Sequence, residues 1–84
     1  MSPDEAIFEL LVARGPEKTI CPSEAARLLA SAEQDWRSKM PVVHAAAALL
    51  AKRGEIALSW KGRPLASPSG PYRIAKVAKA GEES

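Results

Sequence analysis

The chain has 84 residues, of which 46% are hydrophobic and 26% charged, and its formal net charge is +2. This length predicts one small domain, and the composition is typical of a folded protein rather than a disordered one. One cysteine excludes an internal disulfide, and one cysteine with one histidine is too few for a structural zinc site. No apolar run approaches the roughly 20 residues of a membrane span, and the acidic N-terminus is unlike a signal peptide. We therefore expect a cytoplasmic protein with no cofactor, metal or membrane association.

Positive charge is concentrated in the C-terminal part of the chain. Residues 1–51 contain five Lys and Arg against seven Asp and Glu, a net charge of −2. Residues 52–84 contain seven against three, a net charge of +4. This distribution predicts a modest basic patch at the C-terminal end of the fold.

A first helix is predicted at the N-terminus. Ser2 can cap it, with Pro3 at the first helical position and Glu5 at the capping-box spacing. Gly15 followed by Pro16 should end it. The side chains expected to share its buried side are Ile7, Leu10 and Leu11.

The next stretch predicts a short bridge and a second helix. The β-branched Thr19 and Ile20 indicate a bridge of one or two residues at a sheet edge. Cys21 or Ser23 then lies near the cap of a helix with proline at its first position. The apolar contacts of this second helix come from Ala25, Ala26, Leu28 and Leu29.

The polar stretch before the third helix predicts a break and a short helical turn. Ser31 and Gln34 have the capping-box spacing, so the chain can restart there and continue as a short helix from Trp36 to Lys39. Met40 precedes a proline, which disfavours the helical region for this residue. We therefore expect the short helix to stop before the next helix begins.

A third helix is predicted over residues 40–54, with Pro41 at its first position and Gly54 at its end. The spacing i, i+3, i+4, i+7 predicts a buried face made by Val43, Ala46, Ala47 and Leu50. The opposite face would be formed by His44, Ala48, Lys52 and often Ala51.

A β-hairpin is predicted after the third helix. Ile56, Leu58 and Trp60 alternate with smaller or polar residues, which is the period of a half-buried strand. Residues 61–64 read as a turn, and the proline-rich residues 65–71 as a loop that cannot pair fully, together forming a wing. Tyr72 and Ile74 would share one side of the return strand.

The predicted order of elements indicates the fold. Three main helices, a short helical turn and a C-terminal hairpin are typical of a winged helix, an α+β fold that is mainly α. We expect one winged-helix domain over residues 1–79 and a disordered tail over residues 80–84.

Several strings resemble those of a family of short bacterial proteins of unknown function for which a winged-helix fold is predicted. The matching strings are Arg14-Gly15-Pro16, residues 18–27 (KTICPSEAAR), Asp35-Trp36-Arg37, Met40-Pro41, Arg53-Gly54, Lys61-Gly62 and residues 70–74 (GPYRI). The resemblance implies the winged-helix fold and carries no assigned chemistry. This chain departs from the pattern at His44, where an arginine would be expected, and at Tyr72, where an isoleucine would be expected.

The basic residues of the third helix and the wing are candidates for nucleic-acid binding. In a winged helix that binds DNA, the third helix enters the major groove and the wing contacts phosphates or the minor groove. The alanines of this helix can offer a base only a methyl contact. The candidate nucleic-acid contacts are His44, Lys52, Lys61, Arg63 and Arg73. The alternatives are that the third helix is mainly structural and that the wing residues Lys61, Arg63 and Arg73 are ordinary solvated charges.

Three other side chains each have a functional and a structural interpretation. Trp36 would close the end of the core or contact a partner, and Trp60 would pack in the sheet or stack on a base. Cys21, at a helix N-terminus, would be a reactive thiolate or a small capping residue. His44 is the only histidine that could pair with this thiol, and no orienting acid or oxyanion motif accompanies them. We therefore expect no enzymatic activity.

Two functions remain open. The first is weak binding of double-stranded DNA through the wing and the third helix, which should weaken with salt and with alanine at Lys61, Arg63 or Arg73. The second is a protein-interaction adaptor built on the same scaffold, which should tolerate salt and respond to Ala48→Glu.

Overall fold

A computed structural model describes residues 1–15, 18–30, 35–68 and 70–77 of the chain. Within these ranges it contains three α-helices, one short 3-10 helix and four β-strands, which agrees with the predicted mainly helical α+β class. The elements in chain order are α1 (Pro3–Arg14), β1 (Thr19–Ile20), α2 (Pro22–Leu29), the 3-10 helix (Trp36–Lys39), α3 (Met40–Lys52), β2 (Ile56–Trp60), β3 (Arg63–Leu65) and β4 (Arg73–Lys76). The expected tail over residues 80–84 and the end of the predicted domain at residue 79 lie outside the described residues.

The start of α1 is held by a reciprocal pair of hydrogen bonds. The Glu5 N–H donates to the Ser2 hydroxyl oxygen at 3.2 Å, and the Ser2 N–H donates to the Glu5 carboxylate at 2.8 Å. The Ser2 main-chain N–H, followed by the Ser2 hydroxyl, favours the charged form of the Glu5 carboxylate and so lowers the pKa of Glu5 below its usual value. The helix ends at Arg14, before Gly15 with φ 106°, so both predicted ends are confirmed.

The predicted bridge and second helix are also confirmed. β1 pairs antiparallel with β4, with Thr19 opposite Ala75 and Ile20 opposite Ile74. Cys21 is the N-cap of α2, and its N–H donates to the carboxylate of Glu24 at 2.7 Å. The capping-box spacing of residues 31 and 34 lies outside the described residues.

The prediction that Met40 interrupts the helical path is wrong. Met40 has φ −56° and ψ −43°, and the 3-10 helix runs directly into α3. Its N–H donates to the carbonyl of Arg37, and its side chain packs against the core, so these interactions offset the steric cost of the following proline. Pro41 lies in the first turn of α3, where a missing N–H costs nothing.

The predicted turn over residues 61–64 and the unpaired loop after it are partly wrong. Lys61 (φ 52°) and Gly62 (φ 81°) form a two-residue turn of the kind that favours a tight hairpin. The chain then enters β3, which pairs with β2 so that Trp60 lies opposite Arg63. The strand order is β1-β4-β2-β3, so β3 is an edge strand, and an edge tolerates Pro64.

The core lies between one side of the sheet and the three α-helices. Ile20, Ile74 and Leu58 occupy one row across β1, β4 and β2, and each is at most 2% exposed. The buried residues that the α-helices contribute are Ala6, Ile7, Leu11, Pro22, Ala25, Ala26, Val43, Ala46, Ala47 and Leu50. The predicted buried face of α3 is therefore confirmed. Trp60, for which the sequence allowed both packing in the sheet and stacking on a base, lies on the same side of β2 as Ile56 and Leu58 and is 38% exposed.

Among the described residues, none of the helices reaches the length and apolarity that crossing a membrane would require. The described residues also contain no group of three or more His, Cys, Asp or Glu side chains placed to hold a metal ion.

Candidate nucleic-acid interface and binding cleft

A cleft of about 450 Å³ opens where α2 and α3 begin and where β2 ends. Its walls are residues 21–23 at the start of α2, Met40 and His44 on α3, Trp60 on β2, and residues 70–73 leading into β4. These four segments are far apart in the sequence, and the antiparallel pairing of β2 with β4 brings the last two together. No acidic side chain is among the described residues that line the cleft.

His44 and Tyr72 form a hydrogen-bonded pair in the cleft wall. His44 Nδ1 lies 2.6 Å from the Tyr72 hydroxyl oxygen, and the two ring centroids are 5.5 Å apart. Tyr72 is 2% exposed, and burial, with a smaller contribution from the nearby Cys21, raises its pKa to about 12. The hydroxyl therefore keeps its proton at neutral pH and can donate it to Nδ1. This bond fixes His44 against the sheet.

Cys21 and His44, which no sequence signal connected, line the same cleft. Their hydrogen bonds go to other residues, however. The Cys21 thiol is 3.1 Å from the Ser23 hydroxyl, whereas His44 Nδ1 is engaged by Tyr72. The arrangement therefore places a thiol and an imidazole on one surface without the thiol–imidazole bond that activates a nucleophile.

Two of the predicted DNA contacts, Lys61 and Arg63, lie exposed beside the cleft. Lys61 is in the hairpin turn, and its Nζ is 6.0 Å from the centroid of the Trp60 ring. Arg63 faces Trp60 across the hairpin. The hairpin tip therefore combines two cations with one partly exposed aromatic ring.

Arg73, also predicted to contact DNA, lies at the same end of the sheet but is engaged within the fold. Its Nε donates to the Thr19 hydroxyl oxygen at 3.0 Å, and its Nη2 donates to the Thr19 carbonyl at 3.2 Å. The side chain is half-buried. These bonds join β4 to β1, so two of the five N–H donors of Arg73 are used in holding the sheet edge.

Lys52 is exposed but lies apart from the other predicted contacts. It is the last residue of α3, and eight residues at 1.5 Å each place it about 12 Å along the helix axis from His44. The chain then turns into the start of β2, with the N–H of Glu55 donating to the carbonyl of Leu50 at 3.0 Å. Lys52 is therefore near the end of the sheet that is remote from the hairpin turn.

Trp36 closes the end of the core and is partly covered by cations. It is half-buried and packs against the core. The guanidinium carbons of Arg27 and Arg37 lie 4.6 Å and 4.7 Å from its ring centroid. Cation–π contacts of this kind leave less of the indole available to a ligand.

The outward face of α3 is apolar. Val42 is 46% exposed, Leu49 is 45% exposed, and Ala45 lies exposed between them. Their spacing of three and four residues places them in one stripe along the helix. Ala48, predicted to face outward, is half-buried. This apolar stripe was missed because valine and leucine in a helix are usually assigned to the core.

Comparison with known proteins identifies a family. A family described as "Protein of unknown function (DUF3253)" matches residues 2–77. The matched range includes every helix and strand that the structure describes, and the described residues that line the cleft. No curated protein matches the chain.

Proposed function

This chain belongs to the DUF3253 family of proteins of unknown function, and we propose that it is a winged-helix module that binds nucleic acid weakly through its hairpin. The order of elements supports the winged helix: α1, β1, α2 and α3 are followed by a hairpin and a return strand, and β4 lies between β1 and β2. In such a module the third helix and the wing form the surface that approaches double-stranded DNA.

The charge of the hairpin is the observation that carries this proposal. Lys61 and Arg63 are exposed at its turn, and the sequence has no Asp or Glu from residue 56 to residue 77. Cations without acidic neighbours attract phosphates regardless of base sequence. His44 and Arg73 are held within the fold, and the α3 stripe has no base-reading donors, so binding should be independent of sequence.

We expect Lys61→Ala/Arg63→Ala to weaken the binding of a short random duplex and reduce its salt dependence. Removing two phosphate contacts should lower the slope of log affinity against log salt by about 1.8. The matched control is Lys52→Ala/Lys76→Ala, which removes two exposed cations near the other end of the sheet. Fluorescence anisotropy of a labelled duplex at several salt concentrations measures both slopes.

The control separates a local interface from general attraction to positive charge. Lys61→Ala/Arg63→Ala should show the reduced slope of log affinity against log salt, whereas Lys52→Ala/Lys76→Ala should keep the slope of the unchanged protein. Equal losses in the two double variants would show that only total charge matters. No binding at low salt would eliminate the nucleic-acid proposal.

A protein-interaction adaptor is a second candidate, favoured by the apolar stripe on α3. The exposed Val42, Ala45 and Leu49 can seat against an apolar face of another helix, and such contacts persist as salt rises.

We expect Ala45→Glu to abolish such an association, because it places a charge in the middle of the stripe. Ala66→Glu, at an exposed position after β3, is the control and should have no effect. Retention of a specific partner at raised salt, measured by pull-down with the unchanged protein and both variants, tests this. If the partner remains bound to Ala45→Glu, the stripe is not its binding surface.

A further inference from the structure

We propose that the cleft binds an unpaired nucleobase, which stacks on Trp60 while Lys61 and Arg63 contact the adjoining phosphates. This inference rests on the nucleic-acid binding proposed above and adds the class of ligand that the cleft accepts, a single-stranded segment. The inference gives a role to Trp60, the one large aromatic side chain at this end of the molecule that lies partly outside the core.

The position of Trp60 is the first argument. It follows Ile56 and Leu58 on the same side of β2, and those two residues are each 2% exposed, whereas Trp60 is 38% exposed and lines the cleft. The strand therefore places the Trp60 ring beyond the end of the core. Partly exposed aromatic rings in a basic groove are the surfaces on which single-stranded nucleic acids stack their bases.

The interior of the cleft suits a planar heterocycle. Its volume of about 450 Å³ lies within the range of pockets that take small ligands. Met40 and Pro71 supply apolar wall, and Ser23 supplies a hydroxyl that can donate or accept. Because Tyr72 engages Nδ1 of His44, Nε2 is the imidazole nitrogen left for the edge of a base. An apolar slot with a few fixed polar groups is what base recognition needs.

Charge complementarity selects a nucleotide over an uncharged aromatic ligand. Lys61 Nζ is 6.0 Å from the Trp60 ring centroid, Arg63 is opposite Trp60 in the hairpin, and the described cleft lining has no carboxylate. A nucleotide carries its phosphates close to a stacking base. The base would therefore stack on the Trp60 ring inside the cleft, and the phosphates would contact the cations at its rim. An apolar side chain of a protein would leave those cations without a partner in the ligand.

The test compares three probes on the unchanged protein and two variants. The probes are a short oligothymidylate, an abasic oligonucleotide of the same length, and a blunt duplex. We expect Trp60→Ala to weaken oligothymidylate binding about tenfold, and to change binding of the abasic strand and the duplex less than twofold. Trp60→Phe should retain most of the affinity because it keeps an aromatic ring. Urea unfolding of each variant verifies that the fold is intact.

Alkylation of Cys21 gives a second readout that needs no substitution. Cys21 is the only cysteine in the chain, and it is one of the residues that line the cleft. Saturating oligothymidylate should slow its reaction with iodoacetamide several-fold, because a base in the cleft covers the thiol. The abasic strand and the duplex, bound to the same extent, should leave the rate nearly unchanged.

The outcomes separate this inference from the function on which it rests. If all three probes bind equally and Trp60→Ala weakens none of them, the base-binding cleft is refuted while nucleic-acid binding stands. Unprotected Cys21 under saturating oligothymidylate would refute it as well. If none of the probes binds at low salt, both proposals fail together.

Discussion

Replacing Ile74 with alanine is expected to lower the free energy of unfolding by about 2–5 kcal/mol. Ile74 is fully buried in β4, between Ile20 of β1 and Leu58 of β2. The alanine would remove buried apolar surface and leave a cavity that paired strands on both sides cannot close. A domain of this size has a total stability of roughly 4–13 kcal/mol, so this loss is a large part of it. Urea unfolding measures the change.

Val12→Ala is the matched control for this experiment. It also shortens a β-branched side chain to alanine, but Val12 is 70% exposed on α1. Its effect should stay within about 0.5 kcal/mol, and the higher helix propensity of alanine can make it slightly stabilising. An effect at Ile74 no larger than that at Val12 would contradict the central position of Ile74 in the core.

The second large effect is expected in the titration of Tyr72, the only tyrosine in the chain. Its pKa is raised from 10.0 to about 12, first by burial and then by the proximity of Cys21. Because the chain has no other tyrosine, the ultraviolet absorbance of the phenolate follows the titration of Tyr72 alone. We expect its midpoint near pH 12 in the folded protein and near pH 10 in urea. A folded-state midpoint near pH 10 would show that the hydroxyl is open to solvent.

This shift also predicts how stability depends on pH. Because the pKa is higher in the folded state, the stabilising contribution of the neutral hydroxyl is complete below pH 10 and is lost as pH rises through about 12. The loss amounts to up to about 3 kcal/mol for two pKa units. Tyr72→Phe should lack this part of the pH dependence, so the difference between the two unfolding profiles isolates it from the titration of lysines. Parallel profiles would contradict the shift.

The helix ends could be predicted from the sequence because the groups that form them are close together in the chain. Ser2 and Glu5 are three residues apart, as are Cys21 and Glu24, and each pair satisfies main-chain N–H groups within one turn. Such signals act before any tertiary contact forms. The buried face of α3 was predictable for a similar reason, since it depends only on helical period.

The errors arose where tertiary structure outweighed a local preference. Pro64 was predicted to lie in a turn, but it lies in an edge strand, where one missing N–H is tolerated. Met40 precedes a proline, but a hydrogen bond and core packing hold it in the helical conformation. The unfavourable effect of a proline on itself and on the residue before it is a cost in free energy, and contacts with neighbouring residues decide whether the folded chain offsets that cost.

The cleft could not be predicted because its walls come from separate parts of the chain. His44 and Tyr72 are 28 residues apart and meet only after β4 pairs with β2. The sequence identified Trp60 as a residue that could stack on a base. It did not reveal that Cys21 and Ser23 would border the same space, since neither spacing nor periodicity relates residues across a sheet and two helices.

The bonds of Arg73 and the position of Pro64 have a consequence for aggregation. Among the described strands, β1 and β3 lie at the edges of the sheet, and an open edge invites strands of other molecules to pair with it. At β1 the Thr19 carbonyl already accepts hydrogen bonds from Arg73 and, at 3.3 Å, from Nη1 of Arg14. At β3, Pro64 offers no N–H to an incoming strand. Both edges are therefore poor templates for strand addition, which protects a small domain from edge-to-edge association between copies.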